Sequence, residues 1–173
     1  MIRIKLVSQP QALSQIQSNQ LVELHKDYLA HQRELLSEVR PGPDIAITAK
    51  LLLSNNVIAC AFDSEDNIVG YTLFRNLTGA LTIRCIYVNP LVRQKGVMTA
   101  MLDAIHQGEV YHCVSVNLPP KCEHVANYFD DAGYPKVRDI NCGWVCYKRV
   151  YADSSRCRAE DRPGITDDIT VLA

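Results

Sequence analysis

The stretch Ile86-Tyr87-Val88-Asn89-Pro90-Leu91-Val92-Arg93-Gln94-Lys95-Gly96-Val97-Met98 decides how this chain is read. An apolar run suited to a strand passes through a basic loop into a segment where Val97, Met98, Met101, Leu102 and Ile105 mark one helix face, with Gly108 as its end. The first N–H groups of such a helix have no intrahelical acceptor, and its dipole is positive there, so the turn is suited to hold a pyrophosphate. Gly96 lets a phosphate approach the backbone, while Arg93 and Lys95 offset its charge. The same residues read equally as a solvated basic turn, because short glycine patterns recur by chance.

Working outward, the elements on either side give that loop a context. Ile2, Ile4 and Leu6 alternate as in a half-buried strand, and the spacing of apolar residues from about Gln11 to Glu38 predicts a helix, with Asn19 as the cap of a break within it. Pro41-Gly42-Pro43 stops that helix, and Asp44 reads as the N-cap of a shorter one ending at Leu53. Val57–Phe62, Ile68–Phe74 and Leu81–Val88 then read as three strands of an antiparallel meander. Beyond the helix, His112–Leu118 predicts a strand parallel to the last of these, since a helix separates the two. A short helix through Val125, Tyr128, Phe129 and Ala132 ends at Gly133, and Val137–Ile140 with Trp144–Val150 reads as a closing hairpin. Residues 151–173 read as a flexible tail, and Ile169–Leu172 alternatively as a strand added to a sheet edge.

Composition narrows the function classes. The chain has 173 residues, 47% of them hydrophobic, enough for one core and short for two. Eighteen Lys and Arg against 19 Asp and Glu give a formal charge of -1, so no global basic field recruits nucleic acid or an anionic membrane. No apolar run approaches the roughly 20 residues of a membrane span, and no secretion signal is visible, which gives a cytoplasmic expectation. The seven cysteines read as reduced and mostly buried.

In the order of its elements, over roughly residues 2 to 150, the chain resembles the GNAT superfamily of acyl-CoA N-acyltransferases. The family's signature of Arg or Gln, two residues, Gly, one residue, then Gly or Ala corresponds to Arg93-Gln94-Lys95-Gly96-Val97-Met98, with Met98 in place of the final small residue. A second likeness is Val125-Ala126-Asn127-Tyr128-Phe129-Asp130-Asp131-Ala132-Gly133-Tyr134, similar to the family's late segment ending in Gly-Phe. The resemblance implies an α/β fold with a mixed, largely antiparallel sheet, helices on both faces, and a 1–150 domain followed by the tail. It implies acetyl-CoA or another acyl-CoA as co-substrate, no metal, and direct attack of an amine on the thioester. The acceptor amine is a small molecule or a protein, and a homodimer is left open.

The residues implied at the cofactor are Ile86, Tyr87, Val88, Arg93, Gln94, Lys95, Gly96, Val97 and Met98, with N–H groups of the 86–88 strand polarising the thioester carbonyl. Where many members carry a tyrosine that protonates the departing thiolate, this chain has Phe129. Tyr128 is adjacent, but one helical step turns a side chain by about 100°. Cys113, Ser115 and Asn117 share one strand face, so Ser115 and Asn117 are candidates for the acyl site, or satisfied core residues. His112 and His124 are the candidate proton acceptors in that region, and Cys85 and Cys113 read as buried thiols. Glu38–Asp44 is the expected wall of the acceptor site, its two acids hinting at a cationic acceptor. The rival reading keeps the fold without the chemistry: a weak or inactive GNAT-like binding or structural protein. Another small α/β domain binding a different phosphorylated ligand at Arg93–Gly96 is the second rival.

Overall fold

A computed structural model describes residues 2–36, 47–119, 122–140, 144–151 and 168–171. Among them, the strands Ile2–Val7 (β1), Val57–Phe62 (β2), Ile68–Leu77 (β3), Ala80–Val88 (β4), Cys113–Leu118 (β5), Lys136–Ile140 (β6), Trp144–Val150 (β7) and Asp168–Val171 (β8) form one sheet. The spatial order is β6-β7-β5-β4-β3-β2-β1-β8. Neighbours are antiparallel except β4 and β5, which are parallel. The crossover between them is the helix Val97–Gly108 (α3), because parallel strands cannot be joined by a tight turn.

The other helices are Gln15–Leu36 (α1), Ala49–Leu53 (α2) and Glu123–Asp131 (α4). Leu21 and Leu24 of α1 and Leu52 and Leu53 of α2 pack on one face of the sheet with Ile58, Tyr71, Cys85 and Tyr87. Met101, Leu102 and Ile105 of α3 and Phe129 of α4 pack on the other with Phe74, Ile83, Val114 and Val116. This two-sided cover explains why β2 and the start of β3 are almost continuously apolar: neither face of those strands meets water. Gly70 permits the close approach of α3, since a Cβ there would lie 3.2 Å from the Tyr87 carbonyl oxygen and 3.4 Å from Val97 Cγ1.

Several elements differ from the sequence reading. The first helix begins after Ser14, whose hydroxyl accepts from the Gln17 N–H at 3.2 Å while the Gln17 side chain accepts from the Ser14 N–H at 3.0 Å, a reciprocal capping box. Asn19 caps no break; its side chain accepts from the Gln15 amide inside a continuous helix. α2 is capped by Thr48, whose hydroxyl accepts from the Leu51 N–H, whereas Asp44 lies outside the described residues. In the segment read as a tail, Asp168–Val171 pairs antiparallel with β1, which is the edge-strand alternative.

Candidate active site

The site begins where β4 and β5 part. Their register runs Ala80–Cys113, Leu81–Val114, Thr82–Ser115 and Ile83–Val116, and stops there, although β4 continues to Val88 and β5 to Leu118. The pairing of β4 with β3 explains the departure. Leu73 pairs with Cys85 and Phe74 with Ile83, so Arg84 is an extra residue, a bulge that bends β4 away from β5. The bulge also exchanges the faces: Leu81 and Ile83 point to the α3 side, Cys85 and Tyr87 to the α1 side.

Past the bulge, β4 presents backbone to the gap. The Asn89 N–H donates to the Val69 carbonyl at 2.9 Å, so by the alternation of an antiparallel pair Tyr87 bonds toward β3 while Ile86 and Val88 turn their backbone groups to the side β5 has left. One of these is taken: Arg93 Nε donates to the Val88 carbonyl at 3.0 Å, with the guanidinium over the Tyr87 ring at 5.5 Å. The Arg93 side chain is thereby fixed at the mouth of the gap.

The start of α3 closes that mouth. Gln94 and Gly96 both take left-handed backbone conformations, φ 65 and 71°, which coil the loop tightly before the helix. Gly96 is the N-cap, and Ala100 N–H is the first of the helix to find its acceptor, the Gly96 carbonyl at 2.9 Å. The N–H groups of Val97, Met98 and Thr99 are therefore the unpaired donors of the first turn.

The resulting cleft has a volume of about 590 Å³. Ile86, Tyr87, Val88, Arg93, Gln94, Gly96, Val97 and Met98 all line it; of the residues expected at the cofactor, Lys95 alone does not. Lys95 is exposed beside it. From β5, Asn117 lines the cleft, and His124 does so from α4. Ser115 does not, because it stands where the strands are still paired, its hydroxyl 3.4 Å from Thr82 Oγ1. His112 is exposed at the start of β5, the end opposite the cleft, where its N–H donates to the Gly79 carbonyl.

Tyr128 does not line the cleft either. Its ring packs edge-on to Phe129, and burial together with the nearby Asp103 raises its pKa. Phe129 is fully buried, with Tyr134 at 5.1 Å and Tyr147 at 6.0 Å between ring centroids, so the position that holds a tyrosine in many GNAT members is here part of the core. Cys60, Cys85, Cys113 and Cys146 are buried and Cys122 is partly so, all with free thiols. Among the described residues, no three His, Cys, Asp or Glu side chains are grouped as metal ligands would be.

Sequence reasoning missed a group on the α1 side. Tyr28, His31 and Gln32 line the cleft opposite β4. Behind them, His25 Nδ1 lies 2.6 Å from the hydroxyl of Tyr71, a residue buried in β3, and Tyr71 in turn borders Cys85. Burial lowers the His25 pKa and pushes the Cys85 thiol up to about 11; Tyr28 and Tyr71 are raised well above the ordinary tyrosine range, again chiefly by burial. His25 and Tyr28 are three residues apart, which puts them on one helix face, but nothing local connects them to Tyr71 or Cys85.

The fold as a whole has counterparts among solved structures. An acetyltransferase of the GNAT family from Staphylococcus aureus Mu50 superposes with a TM-score of 0.62 at 14% identity, over 85% of this chain and 98% of that one. The chain has the GNAT fold. An acetyltransferase from Thermus thermophilus matches with a TM-score of 0.63 at 12% identity, covering 85% and 96% of the two chains. The PaiA N-acetyltransferase from Thermoplasma acidophilum, in complex with coenzyme A, matches at 0.61 and 11% identity, covering 86% and 99%. No protein-family model matches the sequence, and no curated protein matches it in sequence. The GNAT likeness therefore lives in backbone geometry, which the sequence expresses through a few short motifs.

Proposed function

We propose that the protein is an acyl-CoA-dependent N-acyltransferase, taking acetyl-CoA or a related acyl-CoA as co-substrate and transferring the acyl group to an amine. The observation that supports this most is the end of β4–β5 pairing at Ile83 and Val116, directly before the unpaired donors of α3. In this reading the pyrophosphate sits on the N–H groups of Val97, Met98 and Thr99, where the helix dipole favours negative charge. The pantetheine amides bond to the backbone groups of Ile86 and to the Val88 N–H, in the manner of a strand added to a sheet. An N–H of that edge then stabilises the oxyanion as the amine attacks. Met98 supplies apolar wall at the helix start, and the thiolate takes its proton from solvent, since neither Tyr128 nor Phe129 lines the cleft.

Isothermal titration with coenzyme A tests the cofactor half of this reading, and thiol release from acetyl-CoA the transfer half. Micromolar binding that Gly96→Asp removes is the expected result. Unaltered affinity in a folded Gly96→Asp protein would reject the site. A second reading, a GNAT-fold binding protein without turnover, is favoured by the burial of Phe129 at the family's proton-donor position. Tight coenzyme A binding with no thiol release for any amine would select it.

A further inference from the structure

A second cavity, of about 240 Å³, lies on the α1 face of the sheet. Its wall combines His25 and Tyr28 of α1, Leu51 and Leu52 of α2, and Arg84 and Cys85 of β4. Tyr28, Arg84 and Cys85 also line the cofactor cleft, so the two spaces meet at the β4 bulge. That is where the acyl end of a thioester threaded along Ile86 and Val88 would stop.

The chemistry of this wall is one-sided. Apart from His25, its charged side chain is Arg84, which the bulge turns out of the strand's alternation. Asn56 Oδ1 approaches the Arg84 guanidinium at 3.5 Å, and among the described residues Arg84 makes no ion pair. Among the described residues no carboxylate belongs to the wall; Glu38–Asp44, the expected wall of the acceptor site, lies outside them. Leu51 is 49% exposed despite lying on an apolar helix, so the cavity offers uncovered apolar surface beside a cation.

We propose that this cavity takes the acceptor as an amine that also carries a carboxylate and an apolar side chain, as an apolar α-amino acid does, with Arg84 holding the carboxylate and His25 accepting the ammonium proton. The inference rests on the acyltransferase reading of the adjoining cleft. Arg84 suits the role because a guanidinium grips a carboxylate through two parallel N–H bonds.

His25 suits its role by its place in the wall. Its Nδ1 lies 2.6 Å from the Tyr71 hydroxyl, and with Nδ1–H donating to that oxygen the imidazole lone pair falls on Nε2. Among the described residues Nε2 has no hydrogen-bond partner. The titratable or charged groups facing His25 are Tyr28 on its own helix, Tyr71 on β3, and Cys85 and Arg84 on β4, while α2 contributes leucines. In the transfer step the ammonium gives one proton to Nε2, and the neutral amine attacks the thioester carbon. The N–C bond forms and the C–S bond breaks. The nitrogen's second proton ends on the departing thiolate through solvent, and His25 returns its proton to water.

The test measures thiol release from acetyl-CoA with leucine, leucinamide and spermidine as probes, alongside coenzyme A titration. Leucine is expected to exceed both others at least tenfold in kcat/KM. Arg84→Gln should raise the leucine KM tenfold or more and erase the preference over leucinamide, with Arg84→Lys recovering part of the loss. His25→Gln should lower kcat about 10²-fold and abolish the rise of kcat/KM with pH through the histidine range. Leucinamide or spermidine turning over as fast as leucine, a preference unchanged in folded Arg84→Gln, or an unchanged pH profile in folded His25→Gln would each overturn the assignment. Coenzyme A binding with no turnover of any probe also overturns it and leaves the cofactor site standing. Failure to bind coenzyme A removes the reading beneath it.

Discussion

The β4–β5 pair holds two opposite situations within one length of sheet. From Ala80 to Ile83 the strands are paired residue by residue with Cys113 to Val116, and the side chains of Leu81, Ile83, Val114 and Val116 are buried beneath α3. From Arg84 onward the pairing is gone, the backbone of Ile86 and Val88 faces a cleft, and Asn117 is exposed. The composition of the two halves is similar; both are mostly apolar. One inserted residue separates a core from a cleft, because losing strand pairing exposes directional N–H and C=O groups that cannot stay unpaired in a dry interior.

The sharpest way to break this contrast is at the open end. Gly96→Asp should reduce coenzyme A affinity more than a hundredfold, by placing a carboxylate against the pyrophosphate site. Its melting temperature should fall by only a few degrees, since a Cβ at Gly96 would meet nothing within 4 Å and the cost is confined to a left-handed backbone. Titration and a thermal melt together would check both halves of that statement.

In the closed half the outcome should reverse. Ile83 is 1% exposed, and Ile83→Ala should cost about 2–5 kcal/mol of stability, read by urea denaturation, while the folded fraction still binds coenzyme A with unchanged affinity. A loss of affinity without loss of stability would mean that the boundary at Ile83 is drawn in the wrong place.

A third pair of variants sharpens where α4 belongs. Phe129→Tyr would bury a hydroxyl among Tyr134 and Tyr147 and should destabilise by about 1–3 kcal/mol without raising turnover. Tyr128→Phe, outside the cleft, should change thiol release by less than about threefold, well under the usual general-acid contribution. A hundredfold loss in a folded, cofactor-binding Tyr128→Phe protein would return the phenol to the mechanism.

The smallest expected effect is a pH dependence of stability from His25. Burial lowers its folded-state pKa below the ordinary 6.5, so the unfolded chain binds the proton more readily. Stability should be full above that value and decline as pH falls through it toward the lowered folded pKa. Comparing denaturation of the wild type and His25→Gln across this window checks the sign: the variant should show the shallower decline.

Parts of this architecture are legible in the amino-acid order itself. The strand, basic loop and helix at 86–98 stand out because phosphate binding at a helix start needs only consecutive residues. Other features are present in the sequence but masked. Ser14 and Gln17 spell a capping box, yet the apolar spacing on both sides makes the helix look longer than it is. The Arg84 bulge is not evident from periodicity, since Leu81, Ile83, Cys85 and Tyr87 keep an unbroken alternation of buried residues while the bulge moves the last two to the other face. The choice between Tyr128 and Phe129 turns on helix rotation, which the packing of Phe129 against Tyr134 and Tyr147 fixes.

The amino-acid order on its own thus sets what is local: which segments are strands or helices, where the basic turn before the third helix lies, and that the strands at 81–88 and 112–118 are joined by a helix. These follow from spacing, turn chemistry and backbone geometry over a few residues. Which side chains meet is settled by tertiary packing alone. His25 reaches Tyr71 across 46 residues of chain, and Tyr28, Arg84 and Cys85 line both cavities where α1 meets the bulge of β4. Such contacts depend on packing of the whole core, where each position is set by neighbours distant in sequence, and no local pattern encodes them.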